Sequence, residues 1–321
     1  MSTVTFTTPV QEQIKLVEER IRAQADDNHP DLRAALEHLL SSGGKRVRPT
    51  VVLLVGNMLG AAEERLVTVG AAIELLHTAT LVHDDLIDGS LLRRGMPTLN
   101  ARWSPAATVL TGDFLFARAA RLAAEAEHLP LMKYFAQTLA TIVEGELTQL
   151  FTSRGLINRK NYYRRIYAKT ASLFEMSAQA GALLSPVDNE LVESMRTFGY
   201  ETGMAFQIVD DILDFTGDQT AVGKPLGSDL LQGLVTLPAI YYAEANPDDP
   251  DVLLLGEGGW GNQDRMERLV NSIRNSDAIQ KSMQEAEDFI KRALEKLLAL
   301  HPGIERSALE DLSKYIIDRQ V

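Results

Sequence analysis

The chain has 321 residues, no cysteine and a formal charge of −12 at pH 7. That balance argues against a nucleic-acid binder, which needs a basic surface, and the missing thiols exclude disulfides and cysteine catalysis while suiting a reducing cytoplasm. The start, MSTVTFTTPVQEQIKLVEER, lacks the features of a signal peptide, and the most apolar run, 51–62, is interrupted by Gly56, Asn57 and Gly60 and falls short of the roughly 20 residues of a membrane span.

Ala, Leu, Glu and Arg dominate nearly every long segment, and no period-two alternation is sustained. Helices are therefore predicted at 10–24, 30–41, 49–59, 63–89, 104–125, 130–152, 159–183, 188–215, 228–245, 263–274, 277–300 and 304–318. Gly43-Gly44 stops the second of these, and Pro49 suits the first turn of the third. Ser185-Pro186 breaks the pattern before 188, while 216–227 and 246–262 read as loops, the first of them a mobile lid. No inter-domain linker stands out, so the expectation is a single all-α domain spanning 1–321.

Two helices carry the same acidic pattern near their ends: Asp84-Asp85-Leu86-Ile87-Asp88 and Asp210-Asp211-Ile212-Leu213-Asp214. Positions i and i+4 share a helix face, so Asp84 projects with Asp88, and Asp210 with Asp214. Carboxylates this close repel each other, and a cation is the natural compensation. Mg²⁺ takes one or two carboxylates and keeps waters and substrate phosphates, so two such clusters suit a diphosphate. The residues before Asp84 (Ala71, Ala72, Leu75, Leu76, Leu81, Val82) leave little polar surface. Helices apolar nearly all round are buried, which describes a pocket with a charged mouth and an apolar body.

Cations accompany each acidic cluster. Lys45, Arg46 and Arg48 form a basic turn, Arg93 and Arg94 follow the first cluster, Lys169-Thr170 lies within a helix, and Lys224 sits in the predicted lid. Arg suits bidentate phosphate contact and Lys acts as a point charge. His77 falls two turns before Asp84, and Gln207 one turn before Asp210, each on its aspartate's face. Taken singly, a DDxxD is a solvated helix end, His77 a core histidine and Arg93-Arg94 a surface pair; the combination is what demands chemistry.

The series GGKRVRP at 43–49, HTATLVHDDLID at 77–88, RRG at 93–95, GDFLFARA at 112–119, EGE at 144–146, KTASLF at 169–174, FQIVDDILD at 206–214 and GKPLGSDL at 223–230 resembles the trans-isoprenyl diphosphate synthases, the polyprenyl synthetase family. The resemblance implies an all-α bundle around a deep central cavity, a homodimer, and head-to-tail condensation of isopentenyl diphosphate onto an allylic diphosphate. It implies about three Mg²⁺ per site, with Mn²⁺ as a substitute. Asp84 and Asp88 resemble ligands of two, Asp210 the ligand of a third, and Asp85, Asp211 and Asp214 their water-linked partners. Arg93, Lys169 and Lys224 match contacts to the allylic diphosphate; Lys45, Arg48, His77 and Arg94 match contacts to isopentenyl diphosphate. Thr170 and Gln207 match the residues that steady the allylic cation, and Arg319 is placed near isopentenyl diphosphate. One departure is Gly233-Leu234-Val235-Thr236-Leu237-Pro238, where the family often carries lysine at the position of Leu234; weaker binding of short allylic substrates is expected.

Tail length is set by whatever blocks the pocket floor. Ala79 and Thr80, just before the first acidic cluster, are small, which lets the tail extend beyond fifteen carbons, and HTATLVHDD resembles long-chain synthases more than geranylgeranyl ones, which implies C30 or longer over C20. Phe135, with Met132, Leu139 and Ile142 on one helical stripe, is a candidate floor. Three other readings compete with this one. A class I terpene cyclase has a different second metal motif and no use for 45–48, a head-to-head synthase spaces its aspartates differently, and a subunit acting only with a partner is separated by turnover of the protein alone.

Overall fold

Val51-Val52-Leu53-Leu54-Val55 is a run whose β-branched residues favour strands in isolation, yet it is helical, and all five side chains are buried. Burial on every face, not propensity, decides its conformation. The computed structural model describes residues 5–25, 29–151, 157–217, 226–257 and 259–319. The chain folds into two compact units: Met1–Ala140, Leu173–Gly199 and Leu300–Asp311 form the first, and Thr141–Ser172, Tyr200–Ala299 and Leu312–Val321 the second.

The helices are α1 Gln11–Arg22, α2 Pro30–Ser41, α3 Val47–Leu59, α4 Glu63–Ile87, α5 Pro105–Glu125, α6 Leu129–Phe151, α7 Arg159–Ile166, α8 Ser172–Leu183, α9 Asn189–Thr216, α10 Ser228–Leu231, α11 Leu237–Ala245, α12 Pro250–Gly256, α13 Gln263–Arg274, α14 Ala278–Leu298 and α15 Ile304–Ile317. Among the described residues the extended structure is one two-stranded ribbon, β1 Leu92–Arg93 against β2 Met96–Pro97. The fold is all-α, as the absence of alternation predicts.

In the first unit α4 packs against α1, α3 and α5. Gly181 of α8 is there because a Cβ would collide with the backbone of α3 at Val52 and Gly56. Run 51–62 lies mostly in α3, which is too short to span a membrane, whereas the neighbouring α4 is long and apolar enough to cross one. Of its apolar window, 72% is buried inside the protein, which accounts for the composition as that of a core helix. In the second unit α11 packs against α14, and Arg159 fastens the start of α7 to both, donating to Glu244 at 2.7 Å and Glu285 at 3.2 Å.

Three predicted segments change character. Segment 159–183 is not one α-helix: Tyr167–Ala171 forms a π-helical turn between α7 and α8. Segment 228–245 divides into α10 and α11, because Gly233 takes φ 81° and Pro238 fits the start of a new helix. The predicted loop 246–262 contains α12, capped by the Asp249 carboxylate on the N–H groups of Asp251 and Val252, with Val252 and Leu255 buried. Of the predicted lid 216–227, residues 218–225, Lys224 among them, lie outside the described residues.

Candidate active site

Both acidic clusters occupy the last turns of long helices. Helix α4 ends at Ile87 and Asp88 is its C-cap, its N–H donating to the Asp84 carbonyl at 2.8 Å. Helix α9 ends at Thr216, just beyond Asp214. A helix C-terminus carries the negative end of the macrodipole and disfavours acids. The chain therefore places carboxylates where both their mutual repulsion and the dipole call for cations.

In the first unit the basic turn resolves into three different environments. Arg46 takes φ 48° as the N-cap of α3 and turns its guanidinium inward, to Glu18 at 2.9 Å, Glu74 at 3.2 Å and the Leu40 carbonyl at 2.9 Å. Lys45 is exposed. Arg48 lies inside α3 rather than before it, stacked 5.0 Å from the Phe174 ring centroid, with its Nη1 donating to Nε2 of His77 at 3.1 Å. Because an arginine only donates, the His77 proton sits on Nδ1. Burial, and then the positive charges of Arg48, Arg94, Arg93 and Arg46, hold this imidazole well below its ordinary pKa, so it is neutral at pH 7.

The RRG segment is a tight turn. Arg94 and Gly95 take φ 51° and 76° between β1 and β2, a backbone that suits a two-residue hairpin. Arg93 grips buried Asp85 through its Nε, 3.0 Å from each carboxylate oxygen, and its Nη2 at 2.8 Å. Arg94 reaches back to the Gly43 carbonyl. Lys45, Arg48, His77, Arg93, Arg94, Asp84, Asp85 and Asp88 thus belong to one unit, as do Ala79, Thr80 and Phe135, of which Ala79 and Phe135 are buried.

In the second unit Lys169 and Thr170 lie on the π-turn, a local distortion frequent at functional positions. Lys169 pairs with Glu146 at 3.2 Å, which gives the EGE segment a positioning task. Thr170 donates to Oε1 of Gln207 at 2.7 Å, and Gln207 Nε2 donates to Asp211 at 2.8 Å. Asp211 also accepts from the hydroxyl of buried Tyr162 at 2.8 Å. Burial raises the Asp211 carboxyl to about 7, helped by the charge of Asp229 and opposed by the Gln207 bond, the Arg165 charge and the Tyr162 bond. Asp210 pairs with Arg319 at 2.6 Å, whose guanidinium also lies 4.0 Å from the Phe206 ring centroid and donates to the Phe206 carbonyl. Asp214 receives Ser228 Oγ at 2.7 Å and the Asp229 N–H at 3.2 Å, anchoring the chain as it returns into α10.

Sequence reasoning missed Tyr162, Glu146, Ser228 and the inward turn of Arg46. For Ser228 the signal was the GSDL at the end of the lid segment; for Arg46 it was Glu74, a buried acid within the apolar stretch 66–76 of α4. Nothing local marks Tyr162 out.

Among the described residues, no three acids or histidines converge as a ready metal cage. The carboxylates instead stand singly or in i,i+4 pairs, the donor set that suits a divalent ion completed by waters and substrate oxygens. Carboxylates paired with arginines at the ends of helices, in an all-α chain, are a donor set suited to an enzyme class that handles anionic substrates.

The sequence model of the polyprenyl synthetase family matches residues 29–272. The chain is 37% identical to heptaprenyl diphosphate synthase component 2 of Bacillus subtilis (strain 168), over 96% of this chain and 88% of that one. Among solved structures, heptaprenyl diphosphate synthase from Staphylococcus aureus superimposes with a TM-score of 0.91 at 35% identity, covering 97% of this chain and 99% of that one. A polyprenyl synthase from Caulobacter crescentus CB15, complexed with calcium and isoprenyl diphosphate, gives a TM-score of 0.90 at 32% identity, over 98% and 97% of the two chains. The chain belongs to the polyprenyl synthetase family and is a prenyltransferase that makes trans-polyprenyl diphosphates.

Proposed function

We propose that the enzyme extends an allylic diphosphate with isopentenyl diphosphate to a trans product of C30 or longer, as one catalytic domain. The observation that carries this is the placing of both acidic clusters at helix C-termini, where the dipole and the mutual repulsion of the carboxylates favour bound cations. Asp84, Asp88 and Asp210 would hold Mg²⁺, about three ions in all. When bound, these ions neutralise the charge that grows on the leaving diphosphate.

The chain's own groups do the rest. Arg93, Lys169 and Lys224 hold the allylic diphosphate; Lys45, Arg48, His77 and Arg94 hold isopentenyl diphosphate, with neutral His77 leaving Arg48 its full charge. Positioning the isopentenyl double bond against the allylic carbon supplies much of the rate. The oxygens of Thr170 and Gln207 steady the cation, and the product cation loses its proton to the departing diphosphate. Asp85, Asp211 and Asp214 act behind these groups: each is tied to an Arg93, Gln207 or Ser228 partner that fixes its orientation.

The small residues Ala79 and Thr80 support a long product, and the B. subtilis and S. aureus relatives are named for a heptaprenyl product. Incubation of the purified chain with Mg²⁺, farnesyl diphosphate and isopentenyl diphosphate tests the reading by mass spectrometry. A ladder ending at C30 or beyond is expected; a stop at C20 would refute the long product. Phe135→Ala, read in the same assay, is expected to shift the ladder upward by one or more isoprene units. An unchanged ladder would clear Phe135 of the floor.

Dimerisation is supported by Val143, Leu147, Leu150 and Phe151, an exposed apolar stripe at helical spacing on α6. The lack of cysteine suits a cytoplasmic enzyme. A second reading rests on one name: the B. subtilis relative is a "component 2", so this chain is alternatively a catalytic subunit that needs another chain. Turnover without any partner would eliminate it.

A further inference from the structure

Tyr162 is buried in α7, eight positions before Thr170, and belongs to none of the motifs above. Its hydroxyl starts a chain of three hydrogen bonds: Tyr162 to Asp211 at 2.8 Å, Gln207 to the other Asp211 oxygen at 2.8 Å, and Thr170 to Gln207 at 2.7 Å. All four residues lie in the second unit. The direction of each bond follows from chemistry. The Tyr162 phenol donates to one Asp211 oxygen and leaves the other as the acceptor that meets Gln207, so Asp211 obliges Gln207 to present its N–H side. The amide oxygen of Gln207 then faces Thr170, and the Thr170 hydroxyl must donate to it. With its proton committed, the Thr170 oxygen is left to its surroundings as lone pairs alone.

We propose that Tyr162 is a positioning residue that sets this polarity, so that Thr170 meets the developing allylic cation as a pure acceptor. The proposal rests on the reading of Thr170 and Gln207 given above. Without the phenol, Asp211 loses the donor on one of its oxygens. The carboxylate is then drawn to turn toward another donor, with Arg165, whose guanidinium lies 5.5 Å from the Tyr162 ring centroid, close at hand. Gln207 is no longer held amide-nitrogen inward, and the Thr170 proton is free to point at a positive charge. Unfavourable orientation of one dipole at the reacting centre acts on the transition state and not on ground-state binding.

The test uses farnesyl diphosphate and its 2-fluoro analogue. Fluorine withdraws electrons from the allylic cation, and a protein that steadies the cation less makes the rate more sensitive to fluorine. In Tyr162→Phe, kcat with farnesyl diphosphate is expected to fall about tenfold with both KM values within about twofold of the parent, the pattern of an interaction made only in the transition state. The ratio of rates with and without fluorine is expected to grow several-fold. Replacing Tyr162 with 4-aminophenylalanine, which restores a donor at the same place, should return the ratio to the parent value. Tyr163→Phe, which removes a hydroxyl bonded to Glu285 instead, should leave the ratio unchanged.

A Tyr162→Phe enzyme that is slower but has the parent's fluorine ratio, or one whose loss lies in KM, would overturn the proposal. If Tyr162→Phe fails to fold, the 4-aminophenylalanine protein carries the test, and a raised ratio there overturns it. A parent enzyme that turns over neither substrate would sink the prenyltransfer reading and this inference with it; a parent that turns over beside an indistinguishable Tyr162→Phe sinks only the inference.

Discussion

Asp88→Asn and Asp210→Asn are each expected to lower kcat by roughly 10²–10³-fold, the range seen when one electrostatic contributor to a transition state is removed. The two variants should differ in stability. Asp88 caps the C-terminal end of α4 and is exposed. An acid there opposes the macrodipole, so asparagine should hold or raise the melting temperature while activity collapses. Asp210→Asn removes the ion pair with Arg319 as well, where the aspartate side chain is 38% exposed. A small loss of stability is expected there, in keeping with a partly solvated pair. Turnover and thermal unfolding measured on the same preparations check both. Activity within a few-fold of the parent in either variant would remove that aspartate from the metal-binding set.

Arg46→Ala should be the most destabilising change at any of the basic positions. Its guanidinium is 11% exposed and serves Glu18, buried Glu74 and the Leu40 carbonyl together. Removing one member of a buried pair leaves an uncompensated charge, at a cost of about 3–5 kcal/mol. Lys45→Ala, one residue away and exposed, should change stability by no more than about 0.5 kcal/mol and raise the KM for isopentenyl diphosphate. Urea unfolding and steady-state kinetics separate the two. Equal stability loss in both would mean that Arg46 is not the keystone its contacts describe.

These neighbours also show how far a sequence can be read. The string GGKRVRP announces basic charge, and nothing in it tells which cation faces inward. That is decided by Glu18 and Glu74, 28 positions away on either side of Arg46. Helix α13 falls where its apolar spacing places it, and the aspartate faces of α4 and α9 are as the i,i+4 rule requires, because both depend on local periodicity alone. The π-turn at Tyr167–Ala171 was invisible, since YAKTA is ordinary helical sequence and the distortion is a local departure in hydrogen-bond register. Tyr162 was invisible for a related reason: its partner Asp211 is 49 residues away. Helix α12 was hidden by the Asp, Gly and Pro around it, residues that serve as cap and punctuation as readily as loop.

Arg319 offers a practical lesson for handling the protein. Its guanidinium rests on Phe206 and reaches Asp210, so an affinity tag or fluorescent fusion joined at residue 321 would begin two residues beyond the arginine that pairs with that carboxylate. A polyhistidine there would bring metal-seeking imidazoles to an acid proposed to hold Mg²⁺. Fusions, surface tethers and labels attached ahead of α1 are not joined to the segment that carries Arg319.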